Sequence, residues 1–213
     1  MSEKPQKYLN SSVKEYLDNL SAKLPTPGGG SAAALVSATG VSCLLMVVNF
    51  TVDKKGYEQY NDEIKEILEQ LTTCKLQLTT LIDGDVLAYT VFTVACKLSK
   101  NTDAEIKIRN EKIQSALKNS LLVLCKIFEI SVSVLPLAKQ LLDIGNKNLL
   151  SDVACGVSFL RAGIESAKFN IDINLKFIDD VNFKKEAKIK YKKIMKNAFI
   201  KIEKIIKKVE AKL

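Results

Sequence analysis

The chain contains no histidine. That absence excludes Ser-His-Asp and Cys-His nucleophiles, imidazole general bases and imidazole-ligated metals. Any catalysis must come from carboxylates, Lys, Tyr, Cys or oriented dipoles. Punctuation is also sparse: four prolines and nine glycines in 213 residues predict long regular elements. The five cysteines, Cys43, Cys74, Cys96, Cys125 and Cys155, are odd in number, widely spaced and free of any Cys-x-x-Cys pair. This is the pattern of reduced thiols in an apolar core, not of a disulfide framework or a zinc site. No run alternates for long and no two runs are joined by a hairpin turn, so no sheet is expected. The polar start, Met1–Lys7, leads into no apolar stretch of the secretory type, and a soluble, cytoplasmic protein is expected.

What is present points to helices. Hydrophobic residues make up 47% and charged residues 26%, ordinary proportions for a globular fold, and the stock of Leu, Ile, Ala, Lys and Glu favours helix. The formal charge of +8 is concentrated: Lys184–Lys212 holds twelve lysines against Glu186, Glu203 and Glu210, leaving the rest of the chain close to neutral. Any inference from basicity therefore concerns the C-terminal segment. Ser31–Phe50 is uncharged and nearly long enough to span a bilayer. Its Ala, Ser, Gly and Thr content suits close helix–helix contact in a soluble core, so no membrane is expected.

Caps and periodicity place the elements. Ser12 with Glu15 opens a short helix over 13–22. Pro25–Gly30 cannot be helical, and Ser31 is expected to cap a second helix reaching about Val52, followed by a polar turn at Asp53–Gly56. Ile64, Ile67, Leu68, Leu71, Leu78, Leu81 and Ile82 recur at helical steps within a third helix over 57–100. Thr102 with Glu105 caps a fourth, running to about Leu142 with a kink at Pro136. Gly145-Asn146 closes it. Ser151 or Asp152 caps the next, to about Ile178, and Asp180 opens the last. There Tyr191, Met195, Ala198, Ile202, Ile205 and Val209 form an apolar stripe opposite the lysines. The expected fold is all-α: a multihelical antiparallel bundle of about six long helices in a single domain over 1–213.

One loop carries chemistry. Gly28-Gly29-Gly30-Ser31 leads into a helix N-terminus, where free N–H groups and a positive dipole end favour an anion or polar oxygen, and glycines allow close approach. Pro25 and Pro27 stiffen the loop. It is neither a P-loop, lacking G-K-[ST], nor a dinucleotide fingerprint, since no strand precedes it. Elsewhere Asn49, Thr51, Asp85, Asn146, Asp152, Asn170 and Asn174 interrupt apolar helical faces. Each alone could be a cap or a core hydrogen-bond network; their number in an apolar chain favours a site. Asp85 is placed mid-helix, where the dipole offers it nothing. Gly84 and Ala88 leave space around it, and Tyr89 adds an aromatic wall. The bland alternative is that Asp85 and Asp83 share a solvated face.

These residues together resemble a known family. Leu24-Pro25-Thr26-Pro27-Gly28-Gly29-Gly30-Ser31 resembles the P-T-P-G-G-G-[SA] signature of the formiminotransferase-cyclodeaminase family. Val48-Asn49-Phe50-Thr51 is similar to its A-N-[FL]-T, and Asp85–Tyr89 to its D-x-x-A-[FY]. Gly145–Asp152 is similar to its G-N-x-n-x-x-S-D, and Asn170–Leu175 to its N-v-x-I-N-L. The match runs in order over about 12–183, with departures at Leu122–Cys125 and Pro136. The resemblance implies an all-helical homodimer acting on a one-carbon-substituted tetrahydrofolate, with no metal or cofactor beyond that folate. Asp85 and Asp152 are then the candidate acid/base residues. Pro27, Gly28, Gly29, Gly30, Ser31, Asn49, Thr51, Tyr89, Asn146, Asn170 and Asn174 are the candidate substrate contacts, with Lys54 and Lys55 for a polyglutamate tail.

Three functions remain in play. The first is a folate enzyme, leaning to methenyltetrahydrofolate cyclohydrolase because no formiminotransferase partner domain accompanies the chain, with ammonia-releasing cyclodeaminase as the alternative. The second is a basic helical protein that binds nucleic acid or a membrane surface. It is weaker because the lysines lie opposite an apolar stripe with no interleaved exposed aromatics. The third is a catalytically dead assembly module, against which both aspartates stand at motif positions.

Overall fold

The computed structural model describes residues 6–212; the start of the polar Met1–Lys7 segment lies outside them. Among the described residues there are seven α-helices and no strand. α1 is Val13–Ser21, α2 Gly29–Asn49, α3 Asn61–Cys96, α4 Asp103–Ser133, α5 Leu135–Ile144, α6 Leu150–Phe177 and α7 Val181–Glu210, with short 3-10 turns at Glu58–Tyr60 and Lys147–Leu149. The expected all-helical bundle holds, as five long helices and two short ones.

Side-chain caps start three of these helices. Ser12 accepts from the Glu15 amide at 3.1 Å, Thr102 and Glu105 form a reciprocal capping box, and Asp180 accepts from the Phe183 amide at 3.0 Å. The other boundaries differ from expectation. α2 begins at Gly29 with Gly28 as N-cap, so Ser31 lies inside the helix. α6 begins at Leu150, so neither Ser151 nor Asp152 caps it, and Asp152 sits in its first turn. At Pro136 the chain divides instead of kinking: α4 stops at Ser133 and α5 restarts at Leu135. A proline lacks the N–H and collides with the preceding turn, but is accommodated in the first turn of a new helix.

α2 and α6 form the centre and run antiparallel in close contact. A Cβ at Gly40 would lie 2.7 Å from the Gly156 carbonyl, and one at Gly156 would lie 2.9 Å from the Gly40 carbonyl. Glycine at both positions allows the two backbones to meet. Close by, the Ser37 and Ser131 hydroxyls lie 2.9 Å apart and Ser131 donates to the Ile127 carbonyl at 2.7 Å, tying α4 to this crossing. α7 docks its stripe of Tyr191, Ala198, Ile202, Ile205 and Val209, and Tyr191 packs edge-on against the fully buried Phe128 with centroids 5.4 Å apart.

The cysteines are free, but not all are core residues: Cys125 is buried, its thiol pushed up to about 11 by desolvation, whereas Cys155 is exposed. Three helical stretches, Gly29–Asn49, Glu58–Cys96 and Asp103–Ile144, are long and apolar enough to cross a membrane by length and composition alone. In α2 that apolar surface serves the bundle, since twelve of its 21 residues are buried.

Candidate active site

At the N-terminal end of α2 the bundle opens into a cavity of about 300 Å³. Its floor is Pro25, Thr26 and Gly28–Gly30. α3 contributes Asp85, Tyr89 and Phe92; α4 contributes Leu117, Ser120 and Leu124; α6 contributes Asn170, Ile173, Asn174 and Phe177. The glycine loop, Asp85, Tyr89, Asn170 and Asn174, all singled out in sequence, are thus brought together.

The local chemistry begins with the uncapped helix. Gly28 has no side chain to offer, so the first amides of α2 need other partners. The Ser31 amide donates to Asp85 Oδ2 at 2.9 Å, so a carboxylate from α3 caps α2. Gly30 makes this possible, because a Cβ there would overlap the Asp85 carboxylate. A Cβ at Gly29 would press on the Asn170 amide at 3.0 Å, while one at Gly28 would meet nothing within 4 Å. Gly84, expected to make room beside Asp85, does not: a Cβ there would make only ordinary contact with Leu81 at 3.7 Å. Among the described residues the Gly29 and Gly30 amides have no partner.

Among the described residues Asp85 is the only charged one in the cavity wall. Burial raises its carboxyl above the ordinary carboxylate range, against the lowering effect of the Ser31 amide. Asp83, also half-buried, is held by the N-terminal segment: its Oδ1 accepts from the Tyr8 amide at 2.6 Å and the Leu9 amide at 3.3 Å. On α6, Asn170 Nδ2 donates to the Ser166 carbonyl and Asn174 Nδ2 to the Asn170 carbonyl, both at 2.9 Å. Each amide oxygen is left as an acceptor. Tyr89 and Phe92 form a tilted aromatic pair with centroids 6.0 Å apart. The result is an apolar slot with acceptors along its walls and free N–H donors at its floor. That arrangement suits a flat heterocycle carrying positive charge.

The remaining candidates lie elsewhere. Ser31 is fully buried, with its hydroxyl 3.1 Å from that of Tyr16, and Pro27 is buried behind the loop. Neither faces the cavity. Thr51 and Asn146 latch two turns together: Thr51 Oγ1 donates to the Val47 carbonyl at 2.6 Å and accepts from the Asn146 amide at 3.0 Å, and Asn146 Nδ2 donates to the Phe50 carbonyl at 3.2 Å. Asn49 is exposed in a separate hollow with Phe50, Thr72 and Lys75. Lys54 lies over the Tyr57 ring at 5.4 Å, and Lys55 is exposed. Asp152 lies in the first turn of α6, where the helix dipole favours an acid, near Cys43. The reason for the division is length: the 21 residues of α2 span about 30 Å, with Gly29 at one end and Asn49 at the other. Within one chain Asn49, Thr51, Lys54, Lys55, Asn146 and Asp152 therefore do not share the cavity with Asp85. Ser120, Phe92 and Phe177 were missed in sequence. Phe92 could have been found, as it lies one turn from Tyr89.

Fold and cavity together define a class, a helical bundle with a half-buried carboxylate set against a glycine-rich helix start. Comparison makes this specific. The chain belongs to the formiminotransferase-cyclodeaminase family, which residues 12–193 match. It is 35% identical over 204 residues to a methenyltetrahydrofolate cyclohydrolase of Methylorubrum extorquens, covering 96% of this chain and 98% of that one. It is 28% identical to the formimidoyltransferase-cyclodeaminase of Rattus norvegicus, of which it spans 38%. The crystal structure of formiminotetrahydrofolate cyclodeaminase from Thermotoga maritima superposes with a TM-score of 0.79 at 30% identity, covering 96% of each chain.

Proposed function

We propose that this protein is a folate one-carbon enzyme of the cyclohydrolase type, opening the methenyl bridge of 5,10-methenyltetrahydrofolate. The observation that carries this is the Asp85 carboxylate, the one charged group among the described residues of the cavity, beside two amides without a partner among those residues. The substrate's bridge is an amidinium-like cation between two nitrogens. Asp85 offsets that charge and accepts a proton from the attacking water, whose oxygen bonds to the bridge carbon. The tetrahedral carbinol then breaks one C–N bond as the proton held by Asp85 passes to the departing nitrogen, and the carbinol O–H loses its own proton to solvent, leaving a formyl group on the other nitrogen. Tyr89, Phe92 and Phe177 enclose the heterocycle, while Asn170 and Asn174 accept from its N–H groups. No metal or further cofactor is required by these steps.

The likeness to the Thermotoga protein supports a second reaction on the same site: the free folate nitrogen attacks a formimino carbon and ammonia leaves. One assay separates the two. The purified protein should bleach the methenyl-folate chromophore, and release ammonia from formimino-folate far more slowly. The reverse ratio would make it a cyclodeaminase, and neither activity would leave the assembly-module reading.

The same proposal includes a homodimer acting in the cytoplasm, without membrane or nucleic-acid partners. Half-exposed Leu35 and Val36 and exposed Thr39, Ser42 and Met46 make an outward stripe on α2 of small or apolar residues, which suits a two-fold helical contact. A glutamate tail on the folate would meet Lys54 and Lys55 from the partner subunit, since those of the same chain lie at the far end of α2.

A further inference from the structure

We infer that Tyr16 is a positioning residue of this site: its hydroxyl holds Ser31, and through the Ser31 amide it fixes the Asp85 carboxylate. The inference rests on the proposed role of Asp85. Tyr16, on α1, is nearly inaccessible at 5% exposure and Ser31 is wholly so, and their hydroxyls lie 3.1 Å apart. The pair is therefore shut off from water, and each hydroxyl depends on the other. The Ser31 amide is the donor to Asp85 Oδ2. Tyr16 thus stands one residue behind the carboxylate, outside the cavity wall.

Tyr16 is itself braced. Its ring meets the Tyr8 ring edge-on, with centroids 5.6 Å apart at 87°. Tyr8 donates from its hydroxyl to the Thr26 carbonyl at 3.1 Å, and its amide is held by Asp83, two residues before Asp85. The N-terminal segment, α1, the glycine loop and α3 therefore close one ring of contacts behind the carboxylate. Such support is what keeps a catalytic group within its productive geometry. The ionisable groups around Asp85 are Tyr16 from α1 and Tyr89 and Asp83 from its own helix; the cavity-lining residues of α2, α4 and α6 carry none.

The test is a cycle of Tyr16→Phe, Ser31→Ala and the double variant, with Asp85→Asn in parallel. For each, kcat, KM, the pH profile of kcat and the melting temperature are measured with methenyl-folate. Tyr16→Phe keeps the ring but should lower kcat about tenfold or more with KM little changed. The acid limb should move to higher pH, because a loosened Ser31 amide no longer opposes the desolvation of the carboxyl. Each single variant strands one buried hydroxyl, so the double variant should regain stability but not turnover. Recovery of turnover together with stability, or an unchanged kcat and pH profile in Tyr16→Phe, would overturn the inference while Asp85→Asn remained inactive. Near-normal turnover of Asp85→Asn would instead remove the role of Asp85 itself, and this inference with it.

Discussion

The Asp85 carboxylate accepts the Ser31 amide at 2.9 Å across 54 residues of sequence, and so does for α2 what an N-cap side chain does locally. A helix start that brings no cap of its own is completed by the group proposed to act on substrate. The same bond both orients the carboxylate and restrains its pKa.

Asp85→Asn should separate structure from chemistry. The amide can still accept from Ser31, so the fold should persist, while turnover should fall by at least about a hundredfold, the usual scale for a lost acid/base group. Stability should move the other way. A carboxyl whose folded pKa is raised contributes stability that is complete below its unfolded pKa, about 3.9, and is lost as pH rises through the folded value. At neutral pH the ionised group is therefore a burden, and the Asn variant should melt higher than wild type, a gain that should vanish near pH 3. Scanning calorimetry at both pH values checks this, and an Asn variant that melts lower at pH 7 would contradict it.

The two glycines flanking the helix start should behave differently. In Gly30→Ala the new methyl group would occupy the place of the Asp85 carboxylate, so activity should be lost. In Gly28→Ala the methyl meets only open space in the cavity wall, so the fold should be intact and KM should rise. Parallel melting curves and Michaelis constants distinguish the pair. Equal tolerance of both substitutions would show that the carboxylate is free to leave Gly30.

The α2–α6 crossing should be intolerant of a methyl group. In Gly156→Ala the added carbon lies 2.9 Å from the Gly40 carbonyl and 3.1 Å from Leu44, in backbone and core that cannot swing aside. A loss of about 1–3 kcal/mol is expected, the usual range for overpacking, read as a lowered urea midpoint with unchanged slope.

Thr39 lies exposed at the middle of the outward stripe of α2. If that stripe is the two-fold contact, Thr39→Arg should place like charges across the axis, and sedimentation velocity should report half the wild-type mass. A variant that sediments as wild type would move the contact elsewhere, with the exposed Leu87, Val91 and Val94 of α3 as the alternative face.

Much of this protein is decided by residues close together in sequence. The Ser12, Thr102 and Asp180 caps and the three- and four-residue apolar steps of α3 and α7 depend on contacts within one helical turn. They were legible without coordinates for that reason. The glycine-rich signature and the Asp85–Tyr89 and Asn170–Asn174 segments were legible as well, by resemblance. What the sequence left open was which of the marked residues meet. Asp85 as acid/base and Asn49 as substrate contact were both assigned to one site, yet the 30 Å or so of α2 separates the ends they serve. Gly84 looked like the residue giving Asp85 room, yet Gly30 does so, because helices α2 and α3 pack with the carboxylate over the first turn of α2. Ser31 looked like a cap and is not one, since α2 begins two residues earlier, and its side chain turns inward to Tyr16. Periodicity and caps are properties of one helix. The site depends on the crossing of four, which only close packing around Gly40, Gly156 and Gly30 determines.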